Sequence, residues 1–215
     1  EINELDETNN QAYARVTVLI DSPPSGELII NEGDIYVSNK YVPVSFEMEI
    51  VNEVTHVSFS NDNRTWSDWR PITVHMSWDL TWGFITRGYA RGDGPRTIYA
   101  KLKDIAGLES EVITRSVELY QYDPVILSTS FDDGVIRQGD ALRINFSNPM
   151  DEDSVRSNFL IDPQMGGSFT WQNRTLIFTP SGNWDPNITY NVTLGSGSFD
   201  FAGRYMADNY QREFR

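Results

Sequence analysis

The sequence has 215 residues, with 31 acidic, 17 basic and no cysteine residues, and its formal net charge is −14. An acidic surface of this kind favours solubility and repels nucleic acid and anionic membranes, so we set both aside as partners. No run of about 18 apolar residues is present to span a bilayer. Without cysteine there is no disulfide bond or Cys-ligated metal, and the length suits two domains of roughly 100 residues each.

The first twelve residues differ in composition from the rest of the chain. Residues 1–12 are polar and acidic, so we expect a flexible leader there. The sequence opens on Glu1 instead of Met, from which we expect that an upstream segment was removed. A lipid anchor carried by that removed segment is compatible with this expectation.

From residue 13 onward, short alternating segments separated by turn residues predict β-strands. Residues 13–20 form the first of them, and residues 42–50 alternate most strictly. The apolar face of 42–50 consists of Val42, Val44, Phe46, Met48 and Ile50. Helical periodicity is nearly absent, and strands spaced at intervals of about 8–12 residues are typical of a β-sandwich. We therefore predict an all-β fold.

One pattern, a strand that leads into an Asp-x-Ala-Gly turn, is found twice in the sequence. Residues 97–103 alternate, with Ile98, Ala100 and Leu102 on the inward face, and they lead into Asp-Ile-Ala-Gly at 104–107. The pattern Asp-x-Ala-Gly returns at 200–203. An Asp at a strand end can accept a hydrogen bond from the backbone N–H two residues on, and Gly tolerates positive φ. The repeat predicts two consecutive domains of similar build, at 13–122 and 123–215.

Tryptophan is concentrated in one stretch of the first predicted domain. Four of the six tryptophans lie between residues 66 and 82. Flat aromatic faces suit the apolar faces of sugar rings, which makes Trp66, Trp69 and Trp82 candidate ligand-binding residues. The alternative is that these large hydrophobes fill a small sandwich core. The sequence alone leaves both interpretations open.

Several motifs follow one another in the first predicted domain: Ile30-Asn31-Glu32-Gly33-Asp34-Ile35-Tyr36, Val57-Ser58-Phe59-Ser60-Asn61-Asp62, Thr65-Trp66-Ser67-Asp68-Trp69, Trp78-Asp79-Leu80 and Lys103-Asp104-Ile105-Ala106-Gly107. This order resembles the immunoglobulin-like (Ig-like) repeats of large bacterial and archaeal surface proteins, over roughly residues 28–119. The resemblance implies that Trp66, Trp69 and Trp78 belong to the repeat pattern itself, which favours a structural role. Trp82 is not part of that pattern.

A second set of motifs fills the rest of the chain: Asn145-Phe146-Ser147-Asn148-Pro149-Met150-Asp151, Phe159-Leu160-Ile161-Asp162-Pro163, Leu176-Ile177-Phe178-Thr179-Pro180 and Tyr190-Asn191-Val192-Thr193-Leu194, followed by Asp200-Phe201-Ala202-Gly203. Residues 123–214 resemble the bacterial Ig-like domain first described in S-layer proteins. The resemblance implies a seven-stranded Greek-key sandwich, used in tandem as a surface spacer or stalk. It carries no catalytic residues to transfer.

The sequence contains few patterns that indicate a catalytic or metal-binding site. The acidic run 151–153 is open to two interpretations, a calcium loop or the cap of a short helix. The two histidines, His56 and His75, accompany no Gly-x-Ser-x-Gly motif or phosphate-binding glycine pattern. We expect no enzyme activity, no cofactor and no metal.

Taken together, these features predict two tandem Ig-like β-sandwich domains in a non-enzymatic extracellular or cell-surface module, acting as a spacer, stalk or adhesion element. The alternative is a carbohydrate-binding accessory module that uses the aromatic region from Trp66 to Trp82. The expected partner is a surface glycan or protein of unknown identity. The chain is expected to be a monomer or part of a larger surface protein.

Overall fold

The computed structural model describes residues 22–48, 54–83 and 92–215. The predicted leader, the predicted strand at 13–20 and Ile50 lie outside the described residues. Within the described residues β-strands predominate, with a single α-helix of six residues.

The first half of the described chain forms two facing sheets. Its strands are β1 (Gly26–Ile30), β2 (Tyr36–Val37), β3 (Tyr41–Met48), β4 (Val54–Ser60), β5 (Arg70–Pro71), β6 (Met76–Asp79), β7 (Gly94–Asp104) and β8 (Ile113–Leu119). One sheet has the order β1-β3-β6, and the other has the order β2-β8-β7-β4-β5. All pairings are antiparallel except that of β2 with the last strand, β8. We call these strands the first sandwich.

The alternation predicted for the first sandwich is largely confirmed. Ile98, Ala100 and Leu102 are fully buried in the core, as are Val42 and Val44.

Met48 belongs to the apolar face predicted for residues 42–50, but it is 38% exposed and does not join the buried core. The neighbouring strand β6 pairs only with residues 41–44 of β3, so the end of β3 runs beyond β6, and Gly26 of β1, which has no side chain, lies opposite Met48. There Met48 lines an open surface groove with Ile72, Val74 and Met76.

The second half forms a seven-stranded sandwich, which we call the second sandwich. Its elements are β9 (Ile126–Thr129), β10 (Leu142–Phe146), α1 (Glu152–Ser157), β11 (Phe159–Asp162), β12 (Gly167–Gln172), β13 (Thr175–Pro180), β14 (Tyr190–Leu194) and β15 (Tyr210–Phe214). One sheet has the order β12-β13-β10-β9, and the other has the order β11-β14-β15. Leu142, Ile144 and Phe146, which alternate along β10, are buried between the sheets.

The buried apolar side chains divide into two separate clusters. One draws its members from residues 28–119, and the other from residues 131–214. Each sandwich therefore has its own core, and the predicted all-β, Ig-like sandwich fold is confirmed. The exact domain boundaries at 13–122 and 123–215 stay predictions.

The two Asp-x-Ala-Gly turns have the same backbone geometry. Gly107 N donates to Asp104 O at 3.2 Å, and Gly203 N donates to Asp200 O at 2.9 Å. Both glycines have positive φ, +88° and +77°, which glycine adopts without steric penalty. The predicted bond from the N–H two residues on occurs at Asp200, whose Oδ1 accepts from Ala202 N. At Asp104, Oδ1 accepts instead from the N–H four residues on.

Candidate functional site

Two of the predicted ligand-binding residues, Trp66 and Trp69, lie beside the outer face of the five-stranded sheet. The chain after β4 turns back and runs along that strand, with Ser67 N donating to Phe59 O at 2.8 Å. Ser58 Oγ donates to Ser67 O at 2.7 Å, which holds the two segments together. The register places both indoles next to the polar face of β7, and both are half-buried.

A lysine covers each of these two indoles. Lys101 Nζ lies 5.3 Å from the Trp66 ring centroid, and Lys103 Nζ lies 4.0 Å from that of Trp69. The Glu109 carboxylate lies 3.7 Å from Lys101 Nζ and 3.2 Å from Lys103 Nζ. Cation–π contacts and a shared counter-ion therefore hold these five residues, which we call the outer-face cluster, in one arrangement.

Trp82, the third candidate, lies elsewhere. Its ring contacts Trp78 at a centroid distance of 5.1 Å, and Trp78 in turn stacks on Phe59 in the core. The indole Nε1 of Trp78 donates to Asn61 Oδ1 at 2.7 Å, and Asn61 Nδ2 donates to the Trp82 carbonyl. Trp82 thus packs at the edge of the first core. Among the described residues, no ring contact joins it to Trp66 or Trp69.

The acidic run at 151–153 caps a helix. Asp151 precedes α1, and its Oδ1 accepts from Ser154 N at 2.8 Å, which satisfies one of the free N–H groups at the helix start. Asp153 lies 3.7 Å from Arg156 one turn later. Of the two interpretations left open by the sequence, the capping role is the one that these contacts describe. Across residues 22–48, 54–83 and 92–215, no three His, Asp or Glu side chains gather as a metal site would require.

The connection between the sandwiches is held by hydrogen bonds on both sides. Gln121 N donates to Asp93 Oδ1 of the first sandwich at 2.6 Å. The Tyr122 carbonyl accepts from Asn148 Nδ2 of the second sandwich at 3.1 Å. Asp123 Oδ1 accepts from Arg204 Nη2 at 2.8 Å. Three consecutive residues of the connection are therefore each bound to a neighbouring element.

Aromatic side chains from the two sandwiches also meet at this connection. The ring of Tyr36, on β2, stacks on the ring of Phe201 with centroids 5.2 Å apart and planes 24° apart. Tyr36 also contacts Tyr120 at 6.3 Å. We use the name joint for the three aromatic residues Tyr36, Tyr120 and Phe201, together with residues 121–123 and the side chains bonded to them.

A buried amide–carboxylate pair lies beneath the joint. Asn148 Nδ2 donates to Asp200 Oδ2 at 2.6 Å, and both residues are essentially inaccessible to solvent. Oδ1 of Asp200 accepts from Ala202 N and Arg204 N. Sequence reasoning found the Asp-x-Ala-Gly repeat that contains Asp200, but it did not predict the part that Asn148 plays.

Comparison with known proteins supports the fold. Residues 119–215 match the model of a family described as bacterial Ig-like domain, in agreement with the sandwich fold of that stretch. A search of the curated proteins finds no match. In the described residues, no helix is both long and apolar enough to span a membrane.

Solved structures with a similar fold include the fibronectin(III)-like modules of Clostridium thermocellum CbhA, at 13% identity and a TM-score of 0.37, covering 87% of this chain and 92% of that one. The PKD1 domain of Vibrio anguillarum Epp is also 13% identical, with a TM-score of 0.30 and coverages of 46% and 95%. The Bacteroides ovatus protein SGBP-B from the mixed-linkage glucan utilization locus, solved in complex with a mixed-linkage heptasaccharide, is 11% identical, with a TM-score of 0.32 and coverages of 89% and 47%. At this level the likeness carries no argument about ligands.

Proposed function

We propose that this chain is a non-enzymatic extracellular spacer, which holds neighbouring parts of a surface protein at a set distance and angle. The observation that carries the proposal is the joint, in which both the connecting residues and an aromatic pair link the two sandwiches. The extracellular setting is supported by the bacterial Ig-like match at 119–215 and by the acidic surface.

The joint contacts oppose bending at the connection. Rotating one sandwich against the other would separate Tyr36 from Phe201. It would also strain the connection, where Gln121 is bonded to the first sandwich and Asp123 to the second. An aromatic pair contributes about 0.5–1.5 kcal/mol beyond its buried area, and a hydrogen bond to a charged group contributes about 1.5–3 kcal/mol where it is shielded from water. The ion pair between Asp123 and Arg204 is partly exposed, so its share is smaller. Together, these contributions favour one orientation of the two sandwiches relative to each other over a broad set of orientations.

Small-angle X-ray scattering, combined with residual dipolar couplings, tests this proposal. We expect the couplings of both sandwiches in the unmodified chain to fit a single alignment tensor. The double variant Tyr36→Ser, Arg204→Ser should need two independent tensors and show a wider distribution of interatomic distances. Tyr205→Ser is the matched control, because Tyr205 is an exposed aromatic residue close to Arg204 but contacts Phe199 of its own sandwich. Two independent tensors for the unmodified chain would refute the rigid spacer.

The outer-face cluster supports a second candidate function, the binding of a surface glycan. Trp66 and Trp69 lie on a solvent-facing side of the sheet, next to two lysines and a carboxylate that can bind hydroxyl groups. A sugar stacked on Trp69 would have to displace Lys103 or approach from the other ring face. Trp82 is omitted from this site because it packs against the core.

Tryptophan fluorescence during titration with soluble polysaccharides and oligosaccharides tests the second candidate. Saturable quenching that is lost in Trp69→Ala but retained in Trp82→Phe would place a glycan on the outer-face cluster. A flat response with the unmodified chain across neutral and charged glycans would remove this candidate and would leave the spacer proposal unaffected.

A further inference from the structure

We infer that copies of this chain associate head to tail, with Val135 at the end of one copy packed against Ile105 at the start of the next. The basis is that the outer end of each sandwich carries the structural equivalent of one half of the joint. The equivalent residues, Ile105 and Val135, are both exposed. The inference extends the proposed spacer role from one chain to several. It can fail while the joint within each chain remains rigid.

The end of the first sandwich that carries Ile105 is built like the end of the second sandwich that carries Phe201. Asp104 N donates to Leu108 O, as Asp200 N donates to Arg204 O, at 3.1 and 2.9 Å. Oδ1 of each Asp accepts from the N–H four residues on, in both cases at 2.8 Å. Ile105 therefore takes the position that Phe201 has at the joint. Phe201 stacks on Tyr36, whereas Ile105 is 73% exposed.

The opposite end of the second sandwich repeats the other half of the joint. Tyr36 belongs to a short segment paired in parallel with the last strand of its sandwich, where Glu118 N donates to Ile35 O at 2.7 Å. In the second sandwich Arg215 N donates to Gly134 O at 3.1 Å, and Ile136 N donates back to Arg215 O at 3.2 Å. This pairing makes Val135 the equivalent of Tyr36. Val135 is 59% exposed.

Asp104 supplies an independent sign that the first turn is incomplete. At the joint, Asp200 Oδ2 accepts from Asn148 Nδ2, which also donates to the Tyr122 carbonyl of the connection. Asp104 is equally inaccessible, 3% exposed, but among the described residues its Oδ2 has no hydrogen-bond partner. Buried polar atoms in native proteins are nearly always bonded, so an open acceptor calls for an explanation. An end surface that is completed by a docked neighbour provides one.

A second copy of the chain is the occupant that satisfies both ends together. Each copy presents Ile105 at one end and Val135 at the other, so the contact is between two different surfaces. Such heterologous contacts produce open chains of subunits when the rotation between copies does not close a ring. Ile105 and Val135 offer less apolar area than Phe201 and Tyr36, and the net charge of −14 opposes association. The contact is therefore weak and depends on concentration.

Sedimentation velocity over a concentration series tests the inference with the full chain at physiological salt. The variants are Ile105→Asp and Val135→Asp, with Leu160→Asp as control, since Leu160 is 58% exposed on β11, where it pairs with Thr193 of β14, away from the turns that carry Ile105 and Val135. We expect the unmodified chain and the control to show weight-average sedimentation coefficients that rise with concentration. Each end variant alone should lose this rise, with an association constant reduced at least about tenfold, which corresponds to about 1.4 kcal/mol. Unchanged far-ultraviolet circular dichroism would show that the variants are folded.

Mixing the two end variants supplies the decisive measurement. Ile105→Asp retains an intact Val135, and Val135→Asp retains an intact Ile105, so an equimolar mixture should form 1:1 dimers and nothing larger. A contact between identical ends would instead survive in one of the variants alone and would overturn the inference. A monomeric unmodified chain at millimolar concentration would overturn it as well.

Discussion

Replacing Asp200 by Asn should destabilise the second sandwich far more than the equivalent replacement destabilises the first. Asp200 accepts three hydrogen bonds, two on Oδ1 from backbone N–H groups and one on Oδ2 from Asn148 at 2.6 Å. An Asn side chain keeps only one acceptor oxygen. In either amide orientation, an NH₂ group then faces another donor.

The surroundings of Asp200 offer no rearrangement that repairs this mismatch. Rotating the Asn148 amide would place its oxygen against the Tyr122 carbonyl, to which its nitrogen now donates. The loss of one hydrogen bond to a buried charged group costs about 1.5–3 kcal/mol. We therefore expect Asp200→Asn to cost about 2–3 kcal/mol. In a domain of about 100 residues, that lowers the melting temperature by about 10–20 °C.

Asp104→Asn is the matched control, because Asp104 has the same burial and the same turn. Its Oδ1 can still accept from Leu108 N, and the new NH₂ group replaces an oxygen that has no partner in the part of the chain that the structure describes. We expect a cost of about 1 kcal/mol or less.

Differential scanning calorimetry measures the melting of both variants, and hydrogen exchange assigns each transition to a sandwich. Equal destabilisation by the two replacements would refute the reasoning. So would a change of less than about 1 kcal/mol in Asp200→Asn, which would mean that the Asn148 bond contributes little.

Two further predictions concern the first core and the acid limit of stability. Trp78→Ala should lower the free energy of unfolding by about 3–5 kcal/mol, as expected for a large buried aromatic residue. Trp69→Ala should lower it clearly less, because the Trp69 ring is half-buried at the surface. Urea denaturation of both variants measures the difference. The pKa of Asp132 is lowered, first by the N–H bond from Thr129 and then by the Thr129 hydroxyl. A lowered folded-state pKa adds stability above the unfolded value of about 3.9, and this contribution is lost as the pH falls through the folded value. Urea midpoints at pH 7, 4 and 3 should therefore fall less steeply in Asp132→Asn, and an unchanged slope would contradict the assigned shift.

The sequence predicted the strands well because alternation is a local property. Ile98, Ala100 and Leu102 follow one another at intervals of two on β7, and all three are buried as that period requires. Met48 shows the limit of this reasoning. Its position is on the apolar face of the pattern, but burial depends on whether strands continue on both sides, and β6 ends before Met48 whereas β1 continues. The length of β6, which sets that boundary, cannot be deduced from β3.

The aromatic region shows why closeness in sequence does not predict closeness in space. Trp66 and Trp69 follow β4 and run along the outer side of the five-stranded sheet, whereas Trp82 follows β6, which belongs to the opposite sheet. The two sets are separated by the change of sheet between β5 and β6. Asn148 and Asp200 illustrate the reverse case, because 52 residues separate them and yet they share a hydrogen bond. No local pattern marks such a pair.

The state of the outer-face cluster bears on the choice between the spacer and the glycan-binding proposals. An indole that stacks on a sugar must present a free face, but Lys103 Nζ lies 4.0 Å from the Trp69 ring and is held there by Glu109. Sugar binding on that face must first break a cation–π contact, worth about 0.5–1 kcal/mol at an exposed site. The joint, by contrast, has its contacts already made within the chain. The spacer proposal therefore requires no rearrangement of the described residues, whereas glycan stacking on the lysine-covered face of Trp69 requires Lys103 to move.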